Sequence, residues 1–212
     1  RYGPKGLYTH TLFRYDARFL RRIAPAIELG RSFVREEYQR SFSALLLLWK
    51  GIALFVARHP RYRYLYGPVS ISADYAQLSR TVLVQYLRTH RYAKDLARLV
   101  KPRSPFRATL GPQEHVNLIR HTDDLDQVSD LVSALEADDK GVPILLKQYL
   151  KMGGVLLGFN VDASFNHSLD GLILVDLVRS GEKSLTRYMG ADIAKRYLAY
   201  HQHDLQQTGT YA

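Results

Sequence analysis

The 212-residue chain has no cysteine, which removes disulfides, thiolate metal ligands and a cysteine nucleophile together and fits a reducing compartment. It has no apolar run long enough to cross a bilayer. The longest, Ala44 to Ala57, is interrupted by Lys50 and falls short of a membrane span. No charged-then-apolar leader follows Arg1, and there is no internal repeat or low-complexity tract. Acidic residues are in the minority, 20 against 30 Lys and Arg, for a net charge of +10. The expectation is a cytoplasmic protein, soluble or peripheral at the inner membrane, attracted to an acidic partner. The sign of the charge does not choose among an anionic membrane, an acidic protein and nucleic acid. With 46% hydrophobic residues, the chain can bury one sizeable core, so residues 1–212 read as one α/β domain.

The basic residues spread through "RYDARFLRR", "ARHPRYRYLYG" and "RTHRYAKDLARLVKPRSPFR", whereas acids concentrate in "TDDLDQVSDLVSALEADD". The interleaved tyrosines of "RYRYLY" read as half-buried strand residues rather than a base-stacking surface, so nucleic acid is not expected as a partner. Along the chain, Thr11 to Arg22 predicts a short helix ended by Pro25, and Ile27 to Val34 a strand. From Glu36 to Arg58, Tyr38, Phe42, Leu45, Trp49, Ile52 and Val56 recur at helical spacing and predict one long helix. "YLYGPVSIS" is a second strand whose Gly67-Pro68 implies a bulge or a splayed edge, and Asp74 is placed to cap a helix over Tyr75 to His90. A basic connection follows, residues 91–115, the best candidate for a mobile loop. Residues 122–140 form an acidic helical insertion, and "PILLKQYLKM" another helix closed by Gly153-Gly154. "VLLGFNVD" and "LDGLILVDLV" form a hairpin around "ASFNHS", and a helical tail from 182 to 212 breaks near Gly190.

The stretch "IELGRSFV" carries polar residues in a strand that would otherwise read as core. Ile27, Leu29 and Phe33 share one face with Arg31; Glu28, Gly30 and Ser32 share the other, which is stripped of bulk. Gly30 would let a ligand lie against bare backbone, and a strand running into a helix offers N–H groups to an anion, with Arg31, Arg35 and Arg40 nearby. The pattern suits a phosphate-bearing thioester donor, with Glu28 placed to receive a proton. It equally suits a structural strand whose Glu28 pairs with an arginine.

"AIELGRSFV", "EYQRSFSALLLLWKGI", "YLYGPVSIS", "LLKQYLKMGGVLLGFNVD" and "LDGLILVDL", in this order, resemble the hemolysin-like and ornithine-acyl carrier protein N-acyltransferase group of the GNAT superfamily. A branch of that group is fused to a lysophospholipid acyltransferase-like domain. The resemblance implies a mixed sheet with helices on both faces, opened by a V where acyl donor and acceptor amine meet. It also implies that the fold's first strands precede Gly6. A backbone N–H of the Ile27–Val34 strand would polarise the thioester carbonyl. Glu28 and Ser32 become the catalytic candidates. Gly30, Arg31, Arg35 and Arg40 would hold the donor, and Tyr66, Ser70, Ser72 and Asn160 would line the acceptor side. No bound cofactor or metal is expected, only acyl-ACP or acyl-CoA as co-substrate. "QRSFSA" places Phe42 where the superfamily's phosphate loop expects glycine, which favours a long-chain acyl carrier protein over acetyl-coenzyme A.

The expected activity is transfer of a 3-hydroxyfatty acyl group to the amine of an amino acid such as ornithine. A non-catalytic module docking on anionic membrane or a partner domain, and O-acylation of a lysophospholipid, stand as alternatives. Two His-to-Asp spacings of the kind used by glycerolipid acyltransferases, His90 to Asp95 and His121 to Asp126, read as coincidence. Asp170 and Asp176 read as turn and edge residues, and His201 with His203 supply too few ligands for a metal.

Overall fold

The computed structural model describes residues 3–30, 35–38, 42–108 and 122–202. Arg31, Ser32 and Arg40, the later part of the basic connection, His121, His203 and the end of the tail lie outside the described residues.

In chain order the elements are β1 (Phe13–Tyr15), α1 (Ala17–Ile23), β2 (Ala26–Glu28), α2 (Phe42–Arg58), β3 (Tyr64–Ile71), α3 (Gln77–His90), α4 (Lys94–Ala97), β4 (Val100–Pro102), α5 (Leu125–Leu135), α6 (Ile144–Lys151), β5 (Val155–Asp162), β6 (Ser168–Asp176), α7 (Gly181–Met189) and α8 (Ala191–Tyr200). The main sheet has the order β2-β3-β6-β5, parallel between β2 and β3 and antiparallel elsewhere; β1 and β4 form a separate antiparallel pair. This is a mixed sheet with helices, consistent with a GNAT-like fold.

Period-two alternation sorts the sheet residues onto two faces. Leu65, Val69 and Ile71 of β3, with Leu169, Ile173 and Val175 of β6, face α2, α3, α5, α6, α7 and α8 across the larger core. Tyr66, Leu172 and Leu174 face the other way and pack under Phe13, Phe19, Ile23 and Val100, supplied by β1, α1 and β4. β2 is one edge strand of this sheet.

Next to it, Gly67-Pro68 of β3 makes no bulge. The register of β3 with β6 runs unbroken from Tyr64 opposite Asp176 to Ile71 opposite Leu169. On the β2 side the ladder stops. Leu29 N–H donates to the Tyr66 carbonyl at 2.7 Å. The next rung of a parallel ladder would need an N–H from Pro68, which has none. The Leu29 carbonyl instead leans over Gly67, where a Cβ would stand 2.0 Å from it. Gly67 permits the approach and Pro68 ends the pairing, so the described β2–β3 ladder stops at Leu29. The bulge in this sheet falls in β5, between Leu156 and Gly158.

Four local expectations need correction. The helix predicted from Thr11 begins only at Ala17, because Asp16 accepts the Arg18 N–H at 2.8 Å and caps it, while the preceding residues form a 3-10 turn and β1. The helix predicted from Glu36 is a 3-10 turn, Glu36–Tyr38, followed by α2. Asp74 does not cap α3: its carboxylate takes the Ser72 hydroxyl, and the Ala76 N–H before α3 goes to Glu136 Oε1 at 2.9 Å. The described part of the basic connection is built structure, holding α4, β4 and bridges from Tyr92 to Leu156 and Pro105 to Asn160. Backbone pairing, which residue composition does not reveal, explains that difference. The acidic helix α5 and the tail helices α7 and α8, parted at Gly190 with φ +83°, fall where the sequence places them.

Candidate active site

Three polar side chains lie in a row across neighbouring strands. Ser70 of β3 is opposite Asp170 of β6, and Asp170 is opposite Asn160 of β5, all on the face where the β2–β3 ladder stops. Ser70 is exposed and donates its hydroxyl to Asp170 Oδ1 at 2.6 Å. Asp170 is only 3% exposed. Burial pushes its pKa up to about 6, against the Ser70 hydroxyl, with the Asp162 carboxylate adding to the rise. A carboxylate with that pKa is ionised at neutral pH and more basic than an ordinary one. Its hydroxyl partner Ser70 is exposed to solvent.

Asn160 is buried, and its Oδ1 accepts the Ser104 N–H at 2.7 Å. Together with Val161 N–H to the Ser104 carbonyl at 2.8 Å and Phe106 N–H to the Phe159 carbonyl at 3.2 Å, this lays residues 104–106 along the outer edge of β5. Asn160 therefore forms the wall beside Asp170.

Glu28 occupies a different part of the same face. Its Oε2 accepts the Tyr8 N–H at 3.0 Å, and its Oε1 accepts the Thr9 N–H at 2.7 Å and the Thr9 hydroxyl. Thr9 is fully buried. The carboxylate thus ties the N-terminal 3-10 turn onto β2, with carboxylate oxygens already committed to donors, and no arginine is needed. Its charge, added to burial, raises the phenol of Tyr66, and it contributes to the raised phenol of Tyr15. Tyr66 itself is 4% exposed, edge-on to Phe19 within the second core. Gly30 does not offer bare backbone to a ligand, because the Tyr8 ring fills the space, 3.0 Å from where a Cβ would be. Arg35 is exposed and pairs with Glu37. Ser72 is exposed, just past β3, bound to Asp74.

The structure therefore brings together Ser70 and Asn160 of the nominated residues and adds Asp170. The readable signal was periodicity across the hairpin: Asn160 and Asp162 before the turn, Ser168 and Asp170 after it, all polar at alternate positions and so on one face. Asp176, read with Asp170 as an edge residue, accepts a bidentate pair from Arg63 at 2.9 and 2.7 Å. His201 is buried and its ring nitrogen lies 2.7 Å from the Pro60 carbonyl; His90 packs on Tyr86, and Asp95 pairs with Arg98. Among the described residues, no group of three or more His, Asp or Glu could hold a metal ion. At the opposite end of the face a cavity of about 580 Å³ opens among Arg22, Tyr64, Tyr92, Arg98, Val155 and Arg179, and none of the nominated residues lines it.

Residues 2–50 match an acetyltransferase (GNAT) domain. That stretch carries β1, α1, β2 and the Glu28 anchor. Two curated proteins extend the likeness. A glycine N(alpha)-acyltransferase of Phocaeicola vulgatus is 24% identical over 171 residues, 77% of this chain and 52% of the relative. A glycine N(alpha)-acyltransferase of Bacteroides thetaiotaomicron is 25% identical over 170 residues, 77% of this chain and 50% of the relative. The chain is a distant homologue of both and spans about half the length of the curated relatives it matches. No solved structure matches it. The β2–β3 pairing thus ends at Gly67-Pro68, on the same sheet face as the buried Asp170 carboxylate. No described helix is long and apolar enough to cross a membrane.

Proposed function

We propose that this chain provides the catalytic face of an N-acyltransferase that moves a fatty acyl group from a thioester to the amine of a small amino acid. The observation that carries the reading is the Ser70–Asp170–Asn160 row, with Asp170 buried and its pKa near 6, on the face where Gly67-Pro68 ends the β2–β3 pairing. The donor thioester lies where that pairing ends. The acceptor nitrogen attacks its carbonyl carbon; the N–C bond forms as the C–S bond breaks. The ammonium form of the acceptor first gives one proton to solvent, which frees the nitrogen to attack; Asp170 takes the second proton, shed as the nitrogen becomes an amide, and the departing thiolate is protonated from solvent. Ser70 relays the proton between Asp170 and the exposed side of the row. Glu28 positions the N-terminal turn over β2.

Glycine ranks ahead of ornithine as acceptor, because both relatives carry glycine N(alpha)-acyltransferase names. The donor is an acyl-CoA or an acyl carrier protein, and the net charge of +10 favours the acidic carrier. The test incubates the protein with 3-hydroxyacyl carrier protein or acyl-CoA and a panel of glycine, ornithine and lysophospholipid, and reads products by mass spectrometry. An amide that disappears in Asp170→Asn, with donor binding retained, supports the reading. An ester in place of the amide, or an amide made at the same rate by Asp170→Asn, overturns it.

A further inference from the structure

Packing leaves the outer face of α2 unexplained. At about 100° per residue, Leu47, Lys50, Gly51, Leu54, Phe55 and Arg58 fall on one side of the helix, and Trp49, Ala53 and Val56 on the other. The second set is buried in the larger core. The first is open: Leu47 is 66% exposed and Leu54 and Phe55 are each 47% exposed, with Lys50 and Arg58 exposed among them. Phe55 packs on His59 at 4.6 Å and on Tyr62 at 6.1 Å, and the Arg61 guanidinium lies 4.9 Å over the Tyr62 ring. The patch therefore continues past the helix as aromatic rings and one more cation.

The helix sequence FSALLLLWKGIALFVAR contains no acidic residue. A face for an ordinary protein partner is depleted of lysine, and a face meant for water would not present Leu47, Leu54 and Phe55 in line. Apolar side chains with cations beside them and no carboxylate match one environment by charge and polarity alike, the boundary between acyl chains and anionic head groups. There Lys50 and Arg58 extend their charges to the phosphates while their stems and the leucines enter the hydrocarbon.

We infer that the exposed face of α2, centred on Leu47, Leu54 and Phe55 with Lys50 and Arg58, docks on an anionic lipid bilayer as an interfacial helix. The inference stands on this surface and not on the proposed reaction.

The experiment is co-sedimentation with two sets of vesicles, phosphatidylcholine alone and phosphatidylcholine with phosphatidylglycerol, using the wild-type protein, Lys50→Glu/Arg58→Glu and Leu54→Ser/Phe55→Ser. All four substituted positions are exposed, so the fold is not at stake, and a thermal melt of each variant verifies that. The wild type is expected to bind the anionic vesicles, more weakly as salt rises. Losing two cations weakens binding by about 25-fold, roughly fivefold each, before any added repulsion from the glutamates. The serine pair weakens it by about tenfold or more. Equal binding to both vesicle sets, or anionic binding unchanged in both variants, overturns the inference. So does a light-scattering result in which the serine pair converts a dimer to a monomer, which would assign the face to a second copy of the chain. The vesicle measurement needs no acyl transfer, so it succeeds or fails separately from the reaction.

Discussion

Asp170→Asn is expected to stabilise the protein while it stops the chemistry, and the stabilisation has a predicted pH dependence. Asp170 is 3% exposed and its folded-state pKa is raised to about 6. The unfolded chain releases this proton near pH 4 and the folded chain holds it until near pH 6. Between those values the folded state binds more protons, so stability falls as pH rises through the window, and the full cost is present above it. A difference of about two pKa units corresponds to roughly 3 kcal/mol. Asparagine has nearly the shape of the neutral acid, accepts the Ser70 hydroxyl in the same way and carries no charge to desolvate. The variant should therefore match the wild type in stability near pH 4 and exceed it by about 2 to 3 kcal/mol at pH 8. For a chain of this size that is a rise in Tm on the order of 5 to 10 °C. Urea melts of both proteins at the two pH values provide the measurement. A stability difference that is the same at both pH values, or a variant less stable than the wild type at pH 8, refutes the account of Asp170 as a buried, costly carboxylate.

If Asp170 is the base, acyl transfer should lose rate below about pH 6 as the carboxylate protonates, and the acid limb should vanish in the residual activity of Asp170→Asn. Ser70→Ala removes a hydroxyl that favours the ionised form, so the acid limb should move to higher pH, with any loss of kcat below that of Asp170→Asn; a limb that stays in place would remove Ser70 from the proton path. Gly67→Ala drives a methyl to 2.0 Å from the Leu29 carbonyl and should cost about 3 kcal/mol or more, with reopening of the β2 edge seen as faster amide exchange at Leu29. Glu28→Ala leaves the Tyr8 and Thr9 donors without their acceptor and should cost about 2 to 4 kcal/mol, measured by denaturant unfolding. Glu28→Gln at a temperature where the fold is intact should retain far more turnover than Asp170→Asn; the reverse order would return the role of base to Glu28.

How much of this was readable in the chain depends on whether the cause was local. Gly67-Pro68 announced an interruption in strand pairing because a missing N–H and a missing Cβ act wherever the strand is placed. The hairpin and the broken tail were readable for the same reason: their turns, and Gly190 with φ +83°, are set by neighbouring residues. Glu28 shows the limit. From the sequence it is a polar residue on a strand face, suited to a proton or to an arginine; its actual partners are backbone N–H groups of Tyr8 and Thr9, and no side-chain pattern advertises a backbone donor. Asp170 shows the complementary limit. Its position in "SLDGL" suggested an edge, but its basicity comes from being enclosed between β3 and β5 with Ser70 on one side and Asn160 on the other. Strand order decides that enclosure, and β6 inserts between β3 and β5 although it follows both in sequence. A reader of the chain who places the last strand in the middle of the sheet can derive the site. Leaving it at the edge makes Asp170 an ordinary surface acid, so the sheet order carries the chemistry as much as any residue in it.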